Sequence, residues 1–270
     1  MNDSKESYWQ AQKASKPIYS DLIWSQPQNS THAGKLLIVG GNAHGFSAPA
    51  NAYASAFKAG IGSVKVCLPD KLKVNVGLSI IDAVFCPSTP SGSFAKLSLA
   101  DMLDFADWSD TTLLAGDFGR NSETAMLLEA FVTDYKGNLC ITKDALDYFT
   151  QSPGILFSRR NTLIVGTMAQ LRKISIKADP DNVITLSMGL LKLIEALHNM
   201  TERLPISIIT KHEDNLIVAR RGKVSSTKMG DSRPIWRIPV SSYASVWWLQ
   251  NPDEVFEALT SAVALYIDSA

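Results

Sequence analysis

The stretch LLIVGGNAHGFSAP, residues 36–49, decides how the rest of the chain is read. An apolar run closed by two glycines reads as a buried strand running into a tight turn. The small residues and Pro49 that follow read as the start of a helix. A strand, a glycine turn and a helix start together form a place where a ligand can approach the backbone and meet free N–H groups.

The same unit recurs along the 270 residues. Strand-like runs at 35–41, 63–69, 82–87, 111–117, 138–143 and 161–166 are bounded by Gly, Pro or Asp. Helical patterns lie between them. Residues 49–59 place Ala50, Tyr53, Ala54 and Phe57 on one face, with Gly60 as the stop. Residues 122–134 take Ser122 as N-cap, with Met126, Leu127, Ala130 and Phe131 inward. Residues 183–199 are amphipathic through Leu186, Leu190, Leu193, Ile194 and Leu197, and residues 253–266 turn Val255, Leu259, Ala262 and Val263 inward. Three short strands within 205–227 are spaced as consecutive hairpins at one edge of the sheet. Apolar strands alternating with helices predict a three-layer α/β/α sandwich, with a mostly parallel central sheet and an antiparallel edge. Residues 31–270 are expected to form one domain, with residues 1–30 an extension packing on it.

The bulk numbers exclude several partners. The chain carries 26 basic and 26 acidic residues, a balance that disfavours a nucleic-acid backbone or an anionic membrane. The doublets Arg159-Arg160 and Arg220-Arg221 read as solvated loop charges. Cys67, Cys86 and Cys140 sit in apolar runs without a C-x-x-C, as buried small hydrophobes in a reducing compartment. No apolar run reaches the roughly 18 residues of a membrane span, and the polar start of the chain lacks a secretory core. The expected location is cytoplasmic.

Ligands of parallel sheets gather beyond the carboxyl ends of the strands. There the Gly40-Gly41 pair, the segment AGDFG at 115–119 and the turn after Ile209 are predicted to meet. Gly40-Gly41 belongs neither to G-x-G-x-x-G nor to a phosphate loop ending in G-K-[ST]. Residues 115–123 offer an anion-sized nest at a helix start. Asp117-Phe118-Gly119 matches the magnesium tripeptide of protein kinases without any accompanying kinase signature, and is taken as coincidence. Lys211 ends an apolar strand, where it either reaches a phosphate or decorates a hairpin turn. The histidines share no metal spacing and are placed on surface or loops; no metal ligands are assigned. Trp247-Trp248 and Tyr243 are either an interface patch or core aromatics.

Together these residues resemble the ADP- or ATP-dependent NAD(P)H-hydrate dehydratases, ribokinase-like proteins related to carbohydrate kinases. Their opening reads roughly S-H-K-G, V-x-G-G-S, G-A and A-G-x-G-x-V. The counterparts here are Thr31-His32-Ala33-Gly34, Ile38-Val39-Gly40-Gly41-Asn42, Ser47-Ala48-Pro49 and Ala59-Gly60-Ile61-Gly62-Ser63-Val64. The resemblance implies a ribokinase-like fold and repair of hydrated NADH or NADPH, with ADP or ATP and magnesium as cofactors. It implies a substrate side at Gly40, Gly41, Asn42 and Ser47, and a nucleotide side at Gly116, Gly119 and Lys211. Homo-oligomers are common in the family.

Farther along, the chain departs from the family pattern. P-G-L-G becomes Gly116-Asp117-Phe118-Gly119, and D-A-D-A-L becomes Thr142-Lys143-Asp144-Ala145-Leu146. T-P-H-x-G-E falls on residues 165–170 without its histidine or glutamate, and K-G becomes Lys211-His212. The family's G-x-G-D, source of an anion hole and of the aspartate base, falls near residues 237–248, which hold neither glycine nor aspartate. Gly230-Asp231 comes too early and reads as a turn, in a loop at 228–239 that occupies nucleotide space. Ser241, Ser242 and Tyr243 are too weakly basic to replace a carboxylate at neutral pH. These departures predict a dehydratase-like pseudoenzyme, impaired or inactive, that binds a nucleotide or dinucleotide in the cleft; no catalytic residue is assigned. The alternative is an active divergent dehydratase (a lyase) or a related small-molecule kinase, with Lys211 toward the phosphates.

Overall fold

The computed structural model describes residues 8–24, 26–27, 29–77, 80–229 and 235–269. Its strands are β1 (Trp9–Lys13), β2 (Lys35–Gly40), β3 (Ser63–Pro69), β4 (Ala83–Cys86), β5 (Thr111–Gly116), β6 (Asn138–Thr142), β7 (Thr162–Gly166), β8 (Ile206–His212), β9 (Asn215–Arg220) and β10 (Lys223–Lys228). They form one sheet in the order β1-β10-β9-β8-β7-β6-β5-β2-β3-β4. From β8 through β7, β6, β5, β2 and β3 to β4, all neighbours run parallel. The β8–β9 and β9–β10 pairs are antiparallel, as the hairpin spacing predicts. Those hairpins do not end the sheet, however, because β1 adds outside β10 in parallel. Gln12 anchors it: its amide donates to Thr227 Oγ1 at 2.8 Å and to the Thr260 carbonyl at 2.9 Å.

The helices are α1 (Ser20–Trp24), α2 (Ser47–Lys58), α3 (Lys73–Val76), α4 (Leu99–Trp108), α5 (Ser122–Asp134), α6 (Lys143–Asp147), α7 (Gly154–Phe157), α8 (Met168–Ala178), α9 (Leu190–Arg203), α10 (Arg237–Gln250) and α11 (Val255–Asp268). Two apolar clusters, one on each face of the sheet, hold them in place. The first gathers α2, α10 and α11, and the second gathers α4, α5, α8 and α9. Among the described residues, no helix is long and apolar enough to cross a membrane.

Local chemistry explains where the helices begin and which side they bury. The α5 cap is Asn121 rather than Ser122: its side-chain oxygen accepts from the Glu123 and Thr124 amides. This helix buries Leu128 beside Leu127 and Phe131, while Met126 faces out. Thr167 and Gln170 close a reciprocal capping box at α8. Helix α9 begins at Leu190, so Leu186 lies in the preceding segment and is exposed. The buried side of α2 is not the Tyr53–Phe57 side but the alanine side, Ala48, Ala52 and Ala56. Periodicity favoured the larger apolar residues. Close packing of α2 against α10 favours the small ones, because alanines let two helix backbones approach.

Other expectations change with burial. Trp247, Trp248 and Tyr243 are core residues of α10, so the interface-patch alternative fails. Arg220 is buried in β9, donating to Ser207 Oγ, and Arg159 donates to the carbonyls of Val132, Tyr135 and Gly137 near the end of α5. Neither is a free loop charge. His212 is buried, with Nε2 against the Met188 carbonyl, and His198 lies within α9 against the Gly222 carbonyl. All three cysteines are buried and unpaired by disulfides. Because Ala52 is fully buried on the close-packed side of α2, Ala52→Leu is expected to overpack it. It should lower stability by about 1–3 kcal/mol in urea unfolding with an unchanged m-value; an unchanged midpoint would contradict the packing.

Candidate functional site

The order of the sheet turns around between β5 and β2: β2 leads on to β3 on one side, and β5 leads to β6 on the other. Strand connections diverge there to opposite faces and leave a crevice at the carboxyl ends. Gly40 and Gly116 form its floor. A Cβ on Gly40 would lie 2.4 Å from the Gly116 oxygen, so the glycine is demanded by close strand approach. The Gly41 amide donates to that same oxygen at 3.0 Å. Asn42 holds the turn together, its side-chain oxygen accepting from the His44 amide and its nitrogen donating to the Asp117 carbonyl at 2.6 Å.

Asp117, next in the chain after Gly116, is at the centre of the site. It adopts a φ of 60°, in the left-handed region, which aims its carboxylate across the crevice. One oxygen accepts from the Ala48 amide in the first turn of α2 at 2.7 Å and from Ser47 Oγ at 3.1 Å. The other pairs with Lys143 Nζ at 2.8 Å. Lys143 itself has a φ of 51° and opens α6. Burial raises the Asp117 carboxyl, but the hydrogen bonds from Lys143, Ala48 and Ser47 outweigh it and hold the group below the usual aspartate value.

A second carboxylate fills the neighbouring turn. Asp144 Oδ1 accepts from the Asp117 amide at 2.7 Å, and its Oδ2 accepts from the Gly119 amide at 3.2 Å. Burial pushes this carboxyl upward, those amides pull it down, and the Asp117 charge raises it again; the net direction is up. Tyr148 donates to the Gly119 carbonyl at 2.6 Å. Gln170 donates to Lys143 O and Asp147 Oδ1 at 2.8 and 2.9 Å, and takes a longer contact from Arg237 at 3.4 Å. Burial lowers the Arg237 guanidinium, against the opposing pull of Asp147 and Asp144.

Two clefts flank this network. One of about 170 Å³ is bounded by Ser47, Ala48, Asn51, Lys143 and residues 235–238, between the starts of α2 and α10. The other, about 470 Å³, is lined by residues 119–122, Ala125, Asp144, Asp147, Tyr148 and Lys173. The structure therefore brings Gly40, Gly41, Asn42, Ser47, Gly116 and Gly119 together. Lys211 stands apart: it sits half-buried near the end of β8, three strands from β5, on the order of 14 Å away. Among the described residues it lines neither cleft. Gly230 and Asp231 lie outside the described residues.

Helix α10 covers residues 237–248, where the resemblance would put an anion hole and a base, and its first turn holds no acidic residue. Ser241 and Ser242 are buried and donate to the Ile238 carbonyl at 2.8 and 3.0 Å, so neither hydroxyl faces a ligand. Among the described residues there is no group of three or more His, Cys, Asp or Glu side chains arranged to hold a metal ion. At the α2 start and the turn at 116–119, the backbone donors that a phosphate of ATP with magnesium would meet are already engaged by Asp117 and Asp144, whereas the start of α10 bears Arg237 and has no side-chain cap.

No protein-family model and no curated protein matches the chain. Solved structures do match. A ribokinase-like superfamily protein from Enterococcus faecalis superposes with a TM-score of 0.73, covering 97% of this chain and 87% of that one at 13% identity. An ADP/ATP-dependent NAD(P)H-hydrate dehydratase from Bacillus subtilis, co-crystallised with ATP and Mg2+, gives 0.63 over 93% and 86% at 12% identity. A Bacillus subtilis pyridoxal kinase in an ADP complex gives 0.54 over 85% and 88% at 12% identity. The fold is ribokinase-like. At these identities the likeness extends to the fold alone.

Among the site residues, Asp117, Lys143, Tyr148, Gln170 and Arg237 were not assigned from sequence. The usable signal was a carboxylate directly after the glycine that ends a strand. The Asp117–Lys143 pair sets a direction for titration. A carboxyl held below its usual value stabilises the fold above about pH 4, and that contribution is lost as pH falls below it. In Lys143→Met, the Asp117 carboxyl is expected to titrate higher than in wild type by carboxyl 13C NMR. An unchanged titration would show that the pair does not form.

Proposed function

We propose that this chain is a cytoplasmic, NAD(P)H-hydrate dehydratase-like binding protein without phosphoryl-transfer activity. It takes the nucleoside part of a nucleotide or dinucleotide in the larger cleft that borders this crevice on the β6 side of β5. The observation that carries this reading is the first turn of α10, Arg237-Ile238-Pro239, which offers a cation and a proline where the family's chemistry needs glycine amides and a carboxylate base. A well-placed base normally contributes roughly 10²–10⁴-fold to rate, and anion-hole donors contribute a further large factor. The remaining carboxylates do not substitute. Asp117 is held as the anion by Lys143 and two further donors, which makes it a poor proton acceptor. Asp144 has both oxygens turned to backbone amides.

The larger cleft supports binding. Its volume of about 470 Å³ lies within the range of small-molecule pockets, roughly 300–1,000 Å³. Tyr148 supplies an aromatic wall, and Asn121, Ser122 and Lys173 supply polar groups. The alternative, an active divergent dehydratase or small-molecule kinase, requires a base that none of these groups provides in the observed arrangement.

Two measurements on the purified protein decide between them. NAD+ or adenosine should raise the melting temperature in a concentration-dependent way, since a ligand bound only to the folded state stabilises it. Hydrated NADH supplied with magnesium and ADP or ATP should show no turnover above the protein-free rate. Nucleotide-dependent conversion would overturn the non-catalytic reading, and a melting temperature insensitive to every nucleoside would overturn the binding reading.

A further inference from the structure

The arrangement around Asp117 goes beyond a missing base and bears on which ligands the crevice accepts; the inference rests on the binding reading above. A cleft beside two helix starts, with a lysine and an arginine on its wall, is built from groups that favour anions. In this chain those groups are directed elsewhere. Lys143 pairs with Asp117 at 2.8 Å, the Ala48 amide and Ser47 hydroxyl donate to the other oxygen of the same carboxylate, and Arg237 leans toward Gln170. Asp144 accepts from the Asp117 amide and lines the neighbouring larger cleft, so a second carboxylate lies next to the first.

We infer that Asp117 is the ligand-selectivity residue of the crevice: its carboxylate occupies the donors that a ligand phosphate would need, sets the site against polyphosphates, and leaves it open to ligands of low negative charge. The physical reason is competition for the same donors. An incoming pyrophosphate must displace a carboxylate that already holds three charge-assisted or backbone hydrogen bonds, and must then lie beside it as a like charge. A nucleoside meets neither cost. Removing the charge of Asp117 frees Lys143 and the α2 start together, so both effects reverse at once.

The backbone makes the test practicable. Asp117 has a φ of 60°, a conformation that Asn and Gly adopt readily. Asp117→Asn and Asp117→Gly are therefore expected to fold, which circular dichroism and the melting temperature of each variant check directly. The probe is sodium pyrophosphate, titrated calorimetrically into wild type and both variants, with adenosine as the uncharged control.

Both variants should bind pyrophosphate at least tenfold more tightly than wild type, the change expected for gaining one charge-assisted contact. Adenosine affinity should stay within a factor of about three, well below that gain. Adding Lys143→Met to Asp117→Asn should abolish the gain. Pyrophosphate binding by wild type as tight as by the variants would overturn the inference. So would folded variants without a gain, or a gain that survives the loss of Lys143. Adenosine binding to wild type reports separately on the binding reading: its absence sinks that reading, whereas a pyrophosphate gain in the variants would still establish the role of Asp117.

Discussion

The Asp117 carboxylate joins three strand exits that would otherwise be independent. It follows β5, caps the first turn of α2 after β2, and pairs with the lysine that opens α6 after β6. These segments meet because β2 and β5 are adjacent while their connections leave toward opposite faces. The glycines on the floor serve this contact. Gly40 permits the strands to close, and Gly116, with a φ of 114°, lets the chain turn so that Asp117 aims inward. The geometry of the crevice follows from that contact: its donors are directed at the chain's own carboxylates.

The helical layer above the crevice imposes a second constraint. Helix α10 lies over the middle of the sheet and against the alanine side of α2, with its paired tryptophans buried beneath it. Its first turn therefore comes to the mouth of the crevice whatever residues occupy it. Position there is a property of the fold, whereas chemistry depends on side chains, and Arg237 and Pro239 do not supply what glycine and aspartate would. Shape similar to nucleotide-handling proteins thus coexists in one chain with an α10 first turn that holds neither a glycine nor an acidic residue.

Much of this was legible beforehand. The six parallel strands and the hairpins were read from apolar runs closed by Gly, Pro or Asp, because buried parallel strands must be apolar throughout. Helix faces were less legible. The alanine side of α2 carries a weaker hydrophobic signal than Tyr53 and Phe57, yet only small side chains fit against α10. Gly40, Gly41, Asn42, Ser47, Gly116 and Gly119, named from the turns alone, lie near one another in space. The residues that give the site its charge were missed, because Asp117 and Lys143 are 26 positions apart and only the turn at β5 and the opening of α6 bring them within a hydrogen bond.

The amino-acid sequence by itself determined the alternation of strands and helices, the glycine turns and the lack of a carboxylate at the start of the penultimate helix. Those are local properties, carried by periodicity and by which residue stands at which place. The tertiary structure alone decided where the donors point. Hydrogen bonds from Ser47, Ala48 and Lys143 to one carboxylate depend on three separate segments arriving at the same point, and no local pattern encodes that meeting.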